Sequence, residues 1–359
     1  MKLRDCLREL VSIRSVSGSE AAVAGFCADR LRAAGLDVER VGDNVLARIA
    51  RGRGPRVLFN THLDTVPAGD GWTRDPFEAR WDGDRLYGRG ANDAKASVAA
   101  MIDAFSRLAS ERFAGELWLA LTACEETTNA GMAAVLERVE RPDAAVTGEP
   151  TGLRVVRAQS GLAVLIAEWS GRSCHAAHVA RVDHRNALLA ASAELAALAP
   201  YVALPEAHPL LGPSTIVPTK LTSGERHNVV PDRAECVFDA RLAPPYAPSD
   251  AAAALAEKLP SAKVTVKSGR LLPVETPESH PLVRAALRCA GRGSAVGSST
   301  MSDMALLRGV PAVKCGPGET ERSHVPDEYV LESELEAGAA FYRELAPAAL
   351  EAMAAAVAR

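Results

Sequence analysis

The chain has 359 residues, 48% of them hydrophobic, and its 41 basic and 45 acidic side chains leave a formal charge of -4. That length supports two domains at the usual ~100–200 residues each, and without a Lys/Arg block to track a phosphate backbone no nucleic-acid partner is expected. Apolar stretches fall short of the ~20 residues that span a bilayer, and charges interrupt MKLRDCLREL where a secretion signal would be apolar, so a cytoplasmic protein without membrane contact is expected.

In chain order, SIRSVSGSEAAVAGFCADRLRAAGLDV predicts a helix entered through Ser17 or Ser19 and closed by Gly35, with Val23, Cys27 and Leu31 at helical spacing. RVLFNTH, AKASVAAMIDAFSRLA, ELWLALTACEE, AGMAAVLERV and AAVTGEP then follow as strand, helix, strand, helix, strand. Continuous apolar strands separated by helices of this length predict an α/β fold, a mostly parallel sheet with helices on both faces. Near residue 160 the texture changes. LAVLIAEWSG, RNALLAASAELAALA, STIVPTKLTSG, AECVFDARLAP, PSDAAAALAEKL and AKVTVKSG run strand, helix, two strands, helix, strand, the order of a ferredoxin-like α+β unit. HPLVRAALRCAG, PAVKCGPG and an Ala-rich final helix resume the first pattern. The expected organisation is one domain from 1–159 and 271–359, with 160–270 inserted into it. No internal repeat is visible, and the Ala-rich end expresses helix propensity.

Ligands of open α/β sheets bind beyond the carboxyl ends of the strands, so the polar residues standing there matter most. VLFN runs into His62 and Asp64, LWLALTA into Cys124, Glu125 and Glu126, and AVTG into Glu149. PAVKCGPG leads a few residues later to His324, and Asp93 lies in GRGANDAK, a glycine turn before a helix. Each has a bland reading: a strand-end pair for His62 and Asp64, a helix cap for Asp93, a turn residue for Glu149, an exposed loop histidine for His324. Adjacent Glu125 and Glu126 resist one, since two close carboxylates repel unless something cationic lies between them. Jointly these residues form a metal-ligand set. Imidazole with carboxylate suits zinc, cobalt or manganese, and the ligand count points to two ions sharing a bridging carboxylate. Such a pair, about 3.5–4 Å apart, lowers the pKa of a shared water toward ~7, which points to hydrolysis. The seven cysteines form an odd set without a CxxC pair, which suits free, mostly buried thiols in a reducing compartment rather than metal ligands. Cys124 and Cys174 stand beside candidate residues, but a strand cysteine and a small loop residue are the simpler readings.

The segments THLDTVP, GRGANDAKA, ACEE, TGEPT and GPGETERSHVPDEY, in this order, resemble the metal-dependent amidohydrolase family of acetylornithine deacetylase, succinyl-diaminopimelate desuccinylase, aminoacylase and carboxypeptidase G. The resemblance spans almost the whole chain. It implies a zinc-peptidase-like catalytic domain and an inserted lid that also makes a homodimer. By position it implies two Zn2+, replaceable by Co2+: His62 on one ion, His324 on the other and Asp93 bridging, with Glu149 beside His62 and Glu126 beside His324. Asp64 would orient the His62 ring, and Glu125, next to a ligand yet free to reach the attacking water, would be the general base. The lid would contribute His175 to the oxyanion and, from HNVVPD, Asn228 to substrate or oxyanion. Arg241 in FDARLAP would hold a substrate carboxylate, for which its fork suits it better than nearby Lys220. Two departures stand out. Ala96 replaces a usual glycine, and the spacing from His175 to Asn186 is longer than the common lid pattern and lacks its proline, which keeps His178 open as the lid histidine.

GPGETERSHVPDEY resembles the acetylornithine deacetylases more than the desuccinylases. It implies removal of acetyl from N-acetylornithine or a close N-acetyl-amino acid, as in arginine biosynthesis. Desuccinylation, general aminoacylase activity, release of lysine or ornithine from a carrier protein, and dipeptide hydrolysis are the alternatives within the family. Glu319 and Glu321 would favour a cationic side chain, though a solvated acidic loop accounts for them as simply. A metal- or peptide-binding protein that has lost catalysis is the alternative of another class, and Glu125 together with all five ligands argues against it.

Overall fold

The apolar run VLFNTH forms the strand Arg56–His62, buried from Val57 onward because strands flank it on both sides. Gly115–Thr122 pairs with it in parallel on one side and Ala144–Thr147 in parallel on the other. The structure, a computed structural model, describes residues 2–357. They divide into two units, one of residues 2–157, 275–296 and 302–357, the other Ala158–Val274 with Gly297–Met301.

In the first unit the sheet runs Asp37–Val41, Asn44–Arg51, Gly115–Thr122, Arg56–His62, Ala144–Thr147, Ala312–Lys314. From Arg56–His62 the chain places its next major strand on one side and the following one on the opposite side. That reversal opens a crevice at the carboxyl ends, which is where open α/β sheets bind ligands. Alternate residues of the central strand face opposite layers. Phe59 meets Phe105 and Tyr342 edge-on, at 5.6 and 6.3 Å between ring centroids, so helices Lys95–Leu108 and Glu332–Val357 cover that face. Asn60 and Thr147, paired in register, lie on the other and hydrogen-bond through their side chains at 2.8 Å.

The sequence did not predict helix Leu3–Ser12 or the hairpin of Asp37–Val41 and Asn44–Arg51, whose antiparallel pairing makes the sheet mixed. Its predicted N-caps are also corrected. The helix is Ala21–Ala33, entered at Glu20 with no side-chain cap bond, while Ser17 Oγ instead donates to Asp64 at 2.7 Å and so holds the site.

The second unit is a five-stranded antiparallel sheet in the order Val202–His208, Gly212–Ser223, Arg233–Leu242, Gly161–Ser170, Ala262–Leu271. Its last four strands have the ferredoxin-like order. Val202–His208 is an added edge strand, hidden in the sequence because PEAH interrupts any apolar alternation. Every second residue of Gly161–Ser170 is buried, and Trp169 Nε1 donates to Glu194 at 2.8 Å, fastening helix Ala187–Ala196 to the sheet.

Truncating Phe59 removes the ring on which two helices meet. Phe59→Ala is expected to destabilise the first unit by about 3–5 kcal/mol, read as a lower urea midpoint with unchanged slope.

Candidate active site

Three strand ends deliver donors to the crevice. His62 ends Arg56–His62, Glu125 and Glu126 follow Gly115–Thr122, and Glu149 follows Ala144–Thr147. Gly316 lets the next strand's exit pass close to the last of these, since a Cβ there would lie 2.6 Å from the Glu149 carbonyl oxygen. Asp93 enters from the turn before helix Lys95–Leu108, and His324 from a loop where its φ of 64° is left-handed.

Asp93 stands between the two imidazoles. Its Oδ1 lies 3.1 Å from His62 Nε2 and its Oδ2 3.5 Å from His324 Nε2. Glu149 Oε2 is 3.9 Å from His62 Nε2, and Glu126 Oε1 is 3.0 Å from His324 Nε2. Two three-residue clusters result, His62–Asp93–Glu149 and Asp93–Glu126–His324, each with donor atoms within 4.8 Å of one another. Their chemistry fits divalent ions of the zinc, cobalt or manganese kind. The His62 ring is almost wholly buried, whereas His324 is half exposed, so the two clusters differ in access.

The charges explain why cations belong here. Burial raises the Glu125 carboxyl well above its usual range, and the neighbouring carboxylates of Glu149, Asp303 and Glu126 add to it. Burial, with Asp93 nearby, pushes Glu149 up to about 8. Burial opposes charging His62, but its hydrogen bonds to Asp64 and Asp93 prevail and hold the imidazole well above its ordinary value. Lys314, buried at the end of Ala312–Lys314, is lowered by burial against the pull of Glu149, Glu125 and Asp93. Crowded carboxylates raise one another's pKa unless positive charge intervenes.

Supporting residues hold the donors. Asp64 is fully buried, and its main-chain oxygen and Oδ1 lie 3.0 and 3.4 Å from His62 Nδ1, which turns Nε2 toward Asp93. Asp64 also accepts the backbone N–H groups of Glu125 and Glu126 at 3.0 and 3.1 Å, organising the turn that presents both. Glu328 was not singled out from sequence. Its Oε1 accepts the N–H groups of Asn92 and Asp93 at 2.9 and 3.0 Å, and Arg89 donates to its Oε2 at 2.6 Å. It lies in the DEY of the last motif, four residues after His324, but its contact with GRGAND exists only in the fold.

The other predicted residues belong to the second unit. His175 and His178 are exposed, their rings 5.4 Å apart, and His175 Nδ1 accepts the N–H of Ala177. An isolated bridge from His175 to Val229, with Ala176 N–H donating to the Asn228 carbonyl, brings the His175 and HNVVPD segments side by side. Arg241 donates from Nε and Nη2 to Asp239 at 2.7 and 3.2 Å. The cysteines are free thiols, with Cys6, Cys27, Cys236 and Cys315 buried.

A family model described as peptidase family M20/M25/M40 matches residues 58–348, a span that holds both clusters. The chain belongs to that family. It is 31% identical over 302 residues to acetylornithine deacetylase of Pectobacterium atrosepticum, covering 80% of this chain and 78% of that one. Its fold is shared with aminopeptidase PepT from Bacillus cereus at a TM-score of 0.76 and 21% identity, covering 98% of each chain. Bacillus subtilis YXEP protein, described as a dinuclear metal-binding peptidase of the M20 family, matches at a TM-score of 0.77 and 19% identity, over 97% of this chain and 98% of that one. This M20-family chain is therefore a hydrolase of the amidohydrolase and peptidase class. Among the described residues no helix is long and apolar enough to cross a membrane.

Removing the Arg89 guanidinium leaves Glu328 as a buried carboxylate without its cation. Arg89→Met is expected to cost about 3–5 kcal/mol of stability, measured by urea denaturation, whereas breaking an exposed pair such as Arg74–Asp82 should leave the urea midpoint almost unmoved.

Proposed function

We propose that the chain is a two-metal hydrolase that removes the acyl group from an N-acyl-amino acid, with N-acetylornithine the leading substrate. The observation that carries this reading is Asp93, one carboxylate oxygen directed to each of two His-carboxylate clusters. His62 and Glu149 would hold one ion, His324 and Glu126 the other, with Asp93 between them. Zinc or cobalt bound there would polarise the acyl carbonyl and make a nucleophile available at neutral pH.

Glu125 takes the proton of the attacking water and returns it to the leaving amine, a role that suits a carboxylate next to a ligand yet outside both clusters. Asp64 keeps the His62 ring oriented. The second unit acts as the lid: His175, with His178 the alternative, donates to the developing oxyanion, and Asn228 assists. Asp239 engages one N–H each of Nε and Nη2 of Arg241, so a substrate carboxylate would be met by Nη1 and the second N–H of Nη2. The N-acetylornithine reading is supported by the last motif and by the deacetylase relative. Dipeptides are the second reading, because the fold is also that of an aminopeptidase.

The protein would act in the cytoplasm as a homodimer joined through the second unit. Val202–His208 pairs with Gly212–Ser223 only as far as Ile216, so the outer edge of 217–223 has no strand partner among the described residues. Leu221 on that edge and Leu189 on helix Ala187–Ala196 are exposed. Leu189→Glu with Leu221→Glu is expected to convert a dimer to a monomer in sedimentation velocity. A wild-type monomer would sink the dimer reading.

The central test is hydrolysis of N-acetylornithine, N-acetylcitrulline, N-acetylmethionine, N-succinyl-diaminopimelate and a dipeptide by zinc- or cobalt-loaded protein. One N-acetyl-amino acid should dominate. Glu125→Ala should keep two ions per chain by elemental analysis and lose about 10²–10⁴ in kcat, while Asp93→Ala should lose metal. Full activity in Glu125→Ala would overturn the base assignment, and a preference for the dipeptide would overturn the substrate.

A further inference from the structure

Beneath Glu125 lies a buried carboxylate that the proposed chemistry does not use. Asp303, only 1% exposed, opens the short 3₁₀ helix Asp303–Leu306 and accepts three side-chain donors. Thr122 Oγ1 reaches its Oδ2 at 2.7 Å, Asn60 Nδ2 the same oxygen at 3.1 Å, and Asn129 Nδ2 its Oδ1 at 3.0 Å. The donors come from three separate elements of the first unit, so Asp303 gathers the base of the crevice around itself.

Asn129 carries this arrangement to Glu125. It is 4% exposed, has a left-handed φ of 53°, and precedes helix Ala130–Leu136. Asparagine at a helix start ordinarily caps the first N–H groups with its side chain, but here no such bond is made. Its Nδ2 instead lies 3.4 Å from Glu125 Oε1 as well as 3.0 Å from Asp303. Asp303 already accepts from Thr122 and Asn60, so the amide nitrogen of Asn129 is the atom that faces it, and the same nitrogen is turned toward Glu125. One N–H is thus anchored on Asp303 and the other directed at Glu125. The contact to Glu125 is long, as hydrogen bonds to a catalytic base often are before substrate tightens them.

We infer that Asn129, anchored by Asp303, is a positioning residue for the Glu125 carboxylate. Asp64 holds the Glu125 backbone, Asn129 holds Oε1, and Oε2 is left as the oxygen that exchanges the proton. A neutral amide suits the task. Glutamate has three side-chain torsions to restrain, and lysine or arginine in this place would pair with Glu125 and weaken it as a base. Asparagine also tolerates the left-handed backbone that this turn demands.

The inference rests on Glu125 being the base, so the experiment separates the two. In zinc-loaded full-length protein, Asn129→Gly keeps the left-handed turn and removes the amide. On N-acetylornithine, or the panel member the wild type cleaves fastest, kcat should fall about tenfold to a hundredfold with KM and metal content little changed. The same change in a Glu125→Gln background should cost little more, because the group it positions is already gone. A normal kcat in Asn129→Gly, or an equal further loss in the Glu125→Gln background, overturns the inference while leaving the base assignment standing. Full activity in Glu125→Gln overturns both. A second readout does not depend on turnover. The Asn129 side-chain amide resonances in ¹⁵N-labelled protein, identified by their loss in Asn129→Gly, should shift in Glu125→Gln and in Asp303→Asn. Unmoved resonances in Glu125→Gln would show that no contact exists.

Discussion

Two imidazoles face one carboxylate from opposite sides, and the architecture around them serves to keep that carboxylate in place. Asp93 sits in a turn whose N–H groups are accepted by Glu328, and Glu328 is paired in turn with Arg89. Around Asp93 are Glu149, Glu126 and Glu125, a density of negative charge that no fold tolerates without compensation. The compensation comes from His62 and His324, from Lys314 nearby, and in the proposed function from two divalent ions. Each supporting contact either fixes a donor or offsets a charge. Asp64 does the first for three residues at once, His62, Glu125 and Glu126.

The sheet makes this concentration possible. Reversal of strand order on either side of Arg56–His62 opens a crevice into which three neighbouring strands end, each contributing one or two charged groups. Strands buried on both faces must be apolar along their length, so charge is confined to their ends. The same rule makes the polar row under the crevice notable. Asn60 and Thr147 lie inside the sheet, and they are tolerated because they bond each other and because Asn60 also donates to Asp303.

Much of this was legible along the chain. The apolar runs ending in His62, in Glu125 and Glu126, and in Glu149 declared both the strands and the donors, because burial and ligand chemistry each leave a local mark. Other elements left none. Asp37–Val41 is charged and half exposed, as edge strands are, and its pairing with Asn44–Arg51 depends on the turn between them rather than on apolar alternation. Glu328, Asp303 and Asn129 are ordinary polar residues in sequence, and only long-range contacts, across 174 residues for Asn129 and Asp303, give them a task.

Beyond the family, which the resemblance of five ordered motifs implied, residue type and local order were therefore enough to point to an α/β frame with a ferredoxin-like insert and to the side chains that stand at strand ends. Those features follow from short-range patterning, since periodicity and ligand chemistry are written within a few residues. Only the tertiary structure decided that Asp93 offers its two oxygens to different histidines, that Asp64 spans His62 and the Glu125–Glu126 turn, and that Asp303 lies beneath the site. These depend on distances between segments far apart in the chain. Such distances are set by the packing of whole layers, which no local stretch of sequence encodes.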